Sequence, residues 1–286
     1  MTSIAETKKE IVCRLLRVGI EQWEAEAEAK LILGKVLDQR PALLMLNAFK
    51  TVSAEDTATI QEILTKREAR VPVQYCLGQT WFMGLKILVR EGVFIPRGDT
   101  ETLVEVTIKL LKKLAMRQAS LAEIGTGSGA VSIALLKSMP DLRLIACDIS
   151  ATAIAVAQEN ARLHGVHDRL TTLVGDWRQV MPKELDGIIS NPPYIPREYA
   201  ETLQPEVRQE PEAALFGTDT DGLGFFREIA QASATHLRDG KGVIAVEVGD
   251  TQAVEVGAIF LRNDCAAVDL HCDVNGLPRV VSALRQ

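Results

Sequence analysis

The sequence predicts an α/β protein in which a mostly parallel, seven-stranded sheet follows a small helical bundle. Two observations carry this prediction. Residues 1–72 contain only amphipathic helical patterns, whereas from Leu121 onward short apolar strands alternate with helices. A length of 286 residues favours about two domains, and 47% hydrophobic with 24% charged residues is ordinary for a globular protein.

The N-terminal region carries the start signals of four helices. In chain order these helices begin at Ser3 with Glu6, at Gln22, at Pro41 and at Ser53 with Asp56, and the last one runs to about Arg70. Four amphipathic helices can form one compact bundle. Because nothing in the bundle resembles a catalytic constellation, we expect it to dock a partner or to orient the second domain. A purely structural role stays open.

A β-hairpin is expected between the bundle and the sheet. From Val73 to Pro96, β-forming residues alternate with glycines at turn spacing. Asp99 or Thr100 is then expected to cap a helix over Leu103 to Lys113. The predicted domains are residues 1–72 for the bundle, 73–97 for the hairpin linker and 98–286 for the α/β domain.

The second domain alternates strands and helices, which predicts a parallel sheet with helices on both faces. The expected strands are residues 120–125, 143–148, 170–174, 186–190, 242–248, 267–273 and 279–285. The last two are joined across Asn275-Gly276 and should form a closing hairpin. Sheets of this kind bind ligands beyond the carboxyl ends of their strands, so the residues at those ends are the candidates for a functional site.

A glycine-rich loop follows the first strand. Its residues are Glu123, Ile124, Gly125, Thr126, Gly127, Ser128 and Gly129, and a helix begins directly after them. Glycines let the backbone turn tightly, and free N–H groups at a helix start attract an anion. The glycine spacing, with Asp148 placed to hold ribose hydroxyls, fits NAD as well as S-adenosylmethionine. A P-loop is excluded, because no Lys-Ser/Thr pair follows the glycines.

The end of the third strand separates the two cofactors. Asp176 can accept a hydrogen bond from an exocyclic amine, and the flat ring of Trp177 suits an adenine. Together with Asp148 for the ribose, the loop for the methionine carboxylate and Glu123 for its amino group, they favour S-adenosylmethionine.

The fourth strand ends in the most informative stretch, Asn191-Pro192-Pro193-Tyr194. Pro192 cannot extend a sheet ladder, so the strand must stop at Asn191. A carboxamide, two rigid residues and an aromatic ring are thus presented at the sheet edge. In sheet order this strand should neighbour the first one, which brings Asn191 beside the glycine loop and makes methyl transfer possible. A proline-rich turn capped by Asn is the structural alternative.

Composition disfavours several other classes. A net charge of −6 and a pI near 5.4 offer no basic field for DNA or for an acidic membrane surface. The five cysteines are scattered without a CxxC spacing, so we expect no disulfide framework and no metal site. The N-terminus resembles neither a signal nor a transit peptide, and no stretch is long enough to span a membrane. We therefore expect a cytoplasmic protein.

Four stretches resemble the HemK-type protein-(glutamine-N5) methyltransferases, the PrmC family, which modify peptide chain release factors. They are VPVQYCLG at Val71 to Gly78, FIPRGDTE at Phe94 to Glu101, EIGTGSG at Glu123 to Gly129 and NPPYIP at Asn191 to Pro196. The EPEAALFG segment at Glu210 and the DGLGF segment at Asp221 extend the similarity. The resemblance implies a Rossmann-like class I S-adenosylmethionine-dependent domain after the helical bundle.

The resemblance also implies roles for individual residues. Gly125, Thr126, Gly127, Asp148, Trp177 and Asn191 would contact the cofactor, and Asn191 to Tyr194 would form the pocket for the substrate glutamine. Arg97, Thr100 and Glu101 would close over the cofactor. The cofactor product of the reaction would be S-adenosylhomocysteine. The sequence departs from the family pattern at Gly98, Glu123 and Phe216, where Pro, Asp and an acidic residue or Gly are usual. The partner would be a class 1 release factor, the enzyme a monomer.

Three other classes of protein and one other substrate stay open at this stage. NPPY is shared with enzymes that methylate amino groups of DNA or RNA, and a ribosomal-protein glutamine could be the substrate instead. The formal glycine spacing also permits a nicotinamide oxidoreductase, which leaves NPPY unexplained. The third alternative is an adapter that retains the fold without turnover. The long, acidic connection over residues 195–222 is expected to form a wall or lid, and its charge suits a basic partner segment.

Overall fold

A computed structural model describes residues 2–217 and 219–285. The chain divides into two compact units. The first comprises residues up to Gly78 together with Gln204–Gln209, and the second comprises Gln79–Leu203 and the residues from Glu210 onward. The helical unit therefore includes a short segment of the predicted 195–222 connection, which sequence reasoning assigned entirely to the α/β domain.

Five helices form the first unit. They are α1 (Ile4–Arg17), α2 (Gln22–Val36), α3 (Pro41–Leu46), α4 (Ala54–Glu68) and α5 (Val73–Leu77). The predicted capping box is present: the Ser3 hydroxyl accepts from the Glu6 N–H, and the Glu6 carboxylate accepts from the Ser3 N–H. Apolar side chains from α1, α2 and α4, such as Leu15, Ile32 and Ile60, are buried in one common core.

The helix α5 corrects the prediction of β structure from Val73. Pro72 precedes the helix with a backbone suited to a helix start, and Gly78 ends it in the left-handed conformation with φ 69°. Five residues between a proline and a glycine are enough for one helical turn, despite the β-forming character of Val73 and Tyr75. The hairpin itself is shorter than expected and consists of β1 (Gln79–Phe82) and β2 (Leu85–Leu88).

A buried arginine organises the charged interior of the helical unit. Arg67 on α4 is fully buried, and its guanidinium donates to both oxygens of Glu28 on α2 at 2.9 Å. It also donates to Glu206 at 3.0 Å, and Arg70 binds both oxygens of Glu206. These bonds hold the 204–209 segment against the helices. Gln209 of this segment also donates to the Ala69 carbonyl.

The remaining helices and strands belong to the second unit. In chain order they are α6 (Glu101–Lys113), β3 (Ser120–Ile124), α7 (Ala130–Ser138), β4 (Arg143–Asp148), α8 (Ala151–Leu163), β5 (Leu170–Val174), α9 (Trp177–Val180), β6 (Gly187–Ser190), α10 (Glu212–Leu215), α11 (Gly224–His236), β7 (Gly242–Glu247), α12 (Ala253–Arg262), β8 (Cys265–Cys272) and β9 (Pro278–Arg285). The strand and helix alternation predicted from Leu121 onward is confirmed.

The seven strands β3 to β9 form one sheet in the order β5-β4-β3-β6-β7-β9-β8. The first five strands in this order run parallel to one another. The strand β9 runs antiparallel to both β7 and β8, and it forms the predicted closing hairpin with β8. The prediction that the NPPY strand neighbours the glycine-loop strand is also confirmed, since β6 pairs with β3. Apolar side chains of α11 and α12, including Phe226 and Phe260, are buried against the sheet.

We expect Arg67→Ala to lower the free energy of unfolding by about 3–5 kcal/mol, because Glu28 and Glu206 would lose the guanidinium that neutralises them. Urea unfolding followed by circular dichroism measures this. The matched control is Arg14→Ala, since Arg14 pairs with Glu68 in the same unit with side chains that are 20% and 34% exposed; its loss should be clearly smaller than that of Arg67→Ala. Equal losses for the two variants would contradict the importance of the buried network.

Candidate active site

The carboxyl ends of four neighbouring parallel strands meet at one edge of the sheet. Ile124 at the end of β3 lies opposite Cys147 of β4 and Ser190 of β6, and Ser190 lies opposite Val246 of β7. The next residue on each strand is therefore at about the same height, because paired parallel strands advance together. This alignment brings together the glycine loop, Asp148, Asn191 and Glu247.

The glycine loop forms a tight turn that is held by hydrogen bonds to the end of β4. Gly125, Gly127 and Gly129 all have positive φ, which L side chains rarely adopt. The N–H groups of Gly125 and Thr126 donate to the Cys147 carbonyl at 2.9 and 3.1 Å. Since these donors already have acceptors, an anion would have to use the N–H groups at the start of α7.

Glu123 lies beneath this loop. Its side chain is buried, and one carboxylate oxygen accepts from the Thr126 hydroxyl at 2.7 Å, from the Ser132 hydroxyl and from the Ser132 N–H at 3.2 Å. Burial raises the pKa of Glu123 to about 7, and these hydrogen bonds limit the rise. The carboxyl therefore ties the loop to the first turn of α7 in addition to any contact with a ligand.

Asp148 at the end of β4 connects the loop to the following helix. One carboxylate oxygen accepts from the Gly127 N–H at 2.8 Å, and the other accepts from the Ser150 N–H at 2.8 Å. Burial raises the pKa of Asp148, and the hydrogen bonds from Ser150 and Gly127 oppose that shift. The side chain is thus fixed beside the loop by two backbone donors, in the place expected for a ribose ligand.

The two residues after β5 have different environments. Asp176 is bound by the backbone and the guanidinium of Arg178, and this hydrogen bond lowers the pKa of Asp176. Trp177 is only 7% exposed, and its Nε1 has no hydrogen-bond partner within residues 2–217 and 219–285. A buried indole N–H normally finds an acceptor, so this donor is a position where a ligand atom could be satisfied.

Asn191 stands next to the glycine loop as its strand requires. The Ser190 hydroxyl donates to the Ile124 carbonyl at 2.8 Å and fastens the end of β6 to the end of β3. The Asn191 amide nitrogen donates to the Thr100 hydroxyl at 3.1 Å. Thr100, one of the two predicted caps, occupies the N-cap position of α6, but its side chain makes no capping hydrogen bond. Its buried hydroxyl instead contacts the carboxamide.

Three residues that sequence reasoning missed support the chain after Asn191. The Tyr194 hydroxyl donates to Glu247 at 3.3 Å, and the Gln252 amide donates to the Tyr194 carbonyl at 3.0 Å. A Cβ on Gly222, whose φ is 70°, would collide with the same carbonyl oxygen. Glu247 could have been noticed, because it is a carboxylate at the end of the apolar strand β7 and the four strand ends share one edge.

The segment before α6 is fastened by ion pairs and hydrogen bonds. Arg97 pairs with the buried Glu210 and lies over the Phe94 ring, with 5.3 Å between the guanidinium carbon and the ring centre. Glu210 also accepts from the Ile95 N–H at 2.9 Å. Glu101 accepts from the Met83 N–H at 2.6 Å. Arg97 therefore has a defined place beside Gly98, where the family pattern has Pro.

Fold and site together define the chain as a methyltransferase: the sheet order, the glycine loop after β3 and the NPPY motif after β6 occur in one domain. The family model described as "Methyltransferase small domain" matches residues 85–207, and the model described as "PrmC N-terminal domain" matches residues 9–78. A solved methyltransferase structure from Pyrococcus furiosus superposes with a TM-score of 0.52 at 15% identity, covering 82% of this chain and 99% of that one.

Curated relatives identify the family. The chain is 39% identical to the release factor glutamine methyltransferase of Geobacter sulfurreducens over 272 residues, which covers 93% of this chain and 91% of the relative. It is 36% identical to the protein of the same description from Cereibacter sphaeroides, covering 98% and 97%. The chain belongs to the family of release factor glutamine methyltransferases.

Two further features of the structure concern membrane and metal binding. Among the described residues, no helix has the length and apolar character needed to cross a membrane. In the same part of the chain, no group of three or more His, Cys, Asp or Glu side chains is arranged to hold a metal ion.

The raised pKa of Glu123 predicts how its replacement changes the pH dependence of stability. The unfolded carboxyl has its ordinary pKa of 4.5 and the folded one about 7, so between these values the folded state holds a proton that the unfolded chain has lost. This contribution to stability is present below pH 4.5 and is lost as the pH rises through 7, a change of at most about 3 kcal/mol.

Glu123→Gln should therefore show a shallower fall in unfolding free energy over this pH range than the wild type, as measured by urea unfolding at a series of pH values. Glu91→Gln, at an exposed position, serves as the control and should keep the wild-type slope. Identical slopes for Glu123→Gln and the wild type would show that this carboxyl is not buried in its neutral form.

Proposed function

We propose that this enzyme transfers a methyl group from S-adenosylmethionine to the side-chain amide nitrogen of the glutamine in the Gly-Gly-Gln motif of peptide chain release factors. The observation that carries the proposal is the position of Asn191. Its carboxamide follows β6, is fixed by Thr100 and lies at the sheet edge next to the glycine loop. The names of the relatives support the choice of substrate.

The residues at the strand ends suit the proposed cofactor. The position of Gly125 has open space, since a Cβ built there meets no atom within 4 Å. The Asp148 carboxylate is available for ribose hydroxyls, and the unpartnered Nε1 of the buried Trp177 can donate to a ligand. Thr126, Gly127, Ser128 and Gly129 would line the donor site with Glu123 and Asp176. When bound, S-adenosylmethionine supplies an electrophilic methyl group.

The chemical problem for the protein is the substrate nitrogen. An amide nitrogen is a poor nucleophile because its lone pair is delocalised into the carbonyl group. We assign the Asn191 side-chain oxygen and the Pro192 carbonyl as acceptors of the two glutamine N–H bonds. They would hold the nitrogen in one orientation and stabilise the positive charge that develops on it. Pro193 limits the motion of this loop, and Tyr194 packs on the amide plane.

Orientation is the larger effect that these residues can supply. Correct placement of two reactants lowers a barrier by roughly 7–11 kcal/mol in favourable cases, whereas a single general base contributes about 10²–10⁴-fold in rate. The closure of Arg97, Thr100 and Glu101 over the cofactor also belongs to the proposal. Their ion pair and hydrogen bonds within the same unit support a fixed rather than a loose segment.

The helical unit is proposed to dock the release factor. Its surface carries large apolar side chains that no core residue covers: Trp23 is 74% exposed, Met45 and Leu46 80%, and Phe49 93%. Exposed apolar groups of this size are typical of protein interaction surfaces. With a net charge of −6 the chain favours a protein over DNA as partner. We also propose that the enzyme is a monomer and that it acts in the cytoplasm.

The direct test is mass spectrometry of a class 1 release factor after incubation with the enzyme and S-adenosylmethionine. We expect a mass gain of one methyl group on the glutamine of the Gly-Gly-Gln motif. Parallel reactions contain a ribosomal protein fraction, ribosomal RNA and duplex DNA. Methyl transfer to one of these in preference to the release factor would overturn the proposed substrate.

Asn191→Ala should lower single-turnover methyl transfer by about 10²–10³-fold, because one preorganised acceptor of the substrate amide is lost. The affinity for S-adenosylmethionine should change little, as measured by calorimetry. Asn275→Ala removes an equivalent carboxamide from an exposed turn and is the control. A rate for Asn191→Ala equal to that of the control would refute the role of Asn191.

Asp148→Ala should weaken S-adenosylmethionine binding by about 10–100-fold, since a charged acceptor for the ribose and the anchor of the Gly127 N–H are both removed. Calorimetry with the free enzyme measures this without turnover. Asp141→Ala, at an exposed position, is the comparison. Unchanged affinity would discard the assignment of Asp148 to the cofactor.

A further inference from the structure

Glu247 is a buried carboxyl group to which the proposed mechanism gives no task. It ends β7, the strand next to β6, and is 2% exposed. One oxygen accepts from the Tyr194 hydroxyl at 3.3 Å, and the other has no hydrogen-bond partner in the described part of the chain. Burying a carboxyl with an unused acceptor is costly, so its position needs a reason.

Thr100 and Glu247 both lie against the Asn191–Tyr194 stretch: the Thr100 hydroxyl accepts from Asn191, Glu247 accepts from the Tyr194 hydroxyl, and the pairing of Ser190 with Val246 places Asn191 and Glu247 side by side. The Thr100 hydroxyl therefore faces the same corner of the site as the Glu247 carboxyl. It is among the groups that lower the pKa of Glu247 against the effect of burial. The same hydroxyl oxygen accepts from the Asn191 amide nitrogen at 3.1 Å. Once its oxygen is used in this way, the Thr100 hydrogen is free to turn toward the Glu247 carboxyl, whose second oxygen is unpartnered.

A hydroxyl group alone cannot decide which way a carboxamide faces. Thr100 could accept from the NH₂ of Asn191 or donate to its oxygen, and the two arrangements differ by a rotation of the amide. A carboxylate beside Thr100 removes this freedom, because it accepts hydrogen bonds and has none to give. It draws the hydroxyl hydrogen toward itself, so the hydroxyl oxygen is left to accept from the amide NH₂.

We propose that Glu247 is a positioning residue which, through the Thr100 hydroxyl, holds the Asn191 carboxamide with its nitrogen toward Thr100 and its oxygen toward the substrate amide. The inference rests on the proposed function, in which that oxygen accepts a glutamine N–H. The same carboxylate orients Tyr194 through its hydroxyl, so both polar ends of the NPPY segment depend on one side chain.

Protonation of Glu247 would reverse the arrangement. A neutral carboxyl group has an O–H that can donate to Thr100, which frees the Thr100 hydrogen for the Asn191 oxygen and turns the NH₂ toward the substrate. Burial raises the pKa of Glu247 to about 7, and Thr100, Arg279 and Tyr194 lower it while Asp99 adds to the rise. Arg279 on β9 also pairs with Asp99.

The test measures single-turnover methyl transfer to a class 1 release factor at saturating S-adenosylmethionine between about pH 6 and 8.5, which brackets the titration. The wild-type rate should rise through about pH 7. Glu247→Gln cannot ionise, so it should lose the part of this rise that comes from Glu247 and be about 10–100-fold slower than wild type at the upper end, with unchanged cofactor affinity. Glu255→Gln, exposed on α12, should match the wild type.

Thr100 provides a second, independent test. Thr100→Val keeps the shape but removes the hydroxyl and should slow the reaction by about 10–100-fold, whereas Thr100→Ser should lose clearly less. Because both residues act on the same carboxamide, Glu247→Gln combined with Thr100→Val should be no slower than the slower single variant. A merely structural role would produce neither the rescue by Ser nor this lack of additivity.

Three results would overturn the inference: a Glu247→Gln rate equal to that of Glu255→Gln, a wild-type pH profile in Glu247→Gln, or multiplied losses in the double variant. Failure of the proposed function is distinguishable from these, because it would appear as wild-type enzyme that leaves the release factor unmethylated. An active wild type with an unaffected Glu247→Gln variant would refute the role of Glu247 alone.

Discussion

The parallel pairing of β6 with β3 is the constraint on which the site depends. It sets Ser190 opposite Ile124, and the Ser190 hydroxyl then donates to the Ile124 carbonyl. Pro192 prevents the strand from continuing, so the backbone must leave the sheet at Asn191. A shift of the pairing by one residue would place Asn191 on the other face of the sheet, away from the loop that begins at Gly125.

Two buried carboxyl groups stand on either side of this pairing. Glu123 lies under the glycine loop, and Glu247 lies behind Tyr194, each with a pKa raised to about 7 by burial. Each binds side chains that shape the site: Thr126 and Ser132 at Glu123, and Tyr194 at Glu247. Burying these two carboxyl groups costs stability. In return, their hydrogen bonds fix the glycine loop and the NPPY segment in one conformation.

The sequence predicted what strand periodicity and turn chemistry determine locally. The strands, their parallel order around β3 and the closing hairpin follow from short apolar runs and from the proline after Asn191. The helix at Val73–Leu77 was missed because a proline and a glycine outweighed β propensity over five residues. The sequence did not predict the contacts of Glu247 and Gln252, nor that residues 204–209 pack on the helical unit. Their partners are distant in the chain, and no local pattern indicates a contact such as that of Arg67 with Glu206.

The arrangement around Asn191 favours orientation over proton abstraction. Burial raises the pKa of Tyr194, with the nearby Glu247 charge adding to the rise, so its hydroxyl stays neutral near pH 7 and cannot act as a base. Glu247 contacts the NPPY stretch through the Tyr194 hydroxyl, which leaves it behind the proposed substrate pocket. The amide nitrogen becomes positively charged when it is methylated, and it then loses its proton readily. The proposed reaction therefore needs acceptors that are fixed in direction, and the hydrogen bond from the Asn191 amide nitrogen to Thr100 fixes the direction of this carboxamide.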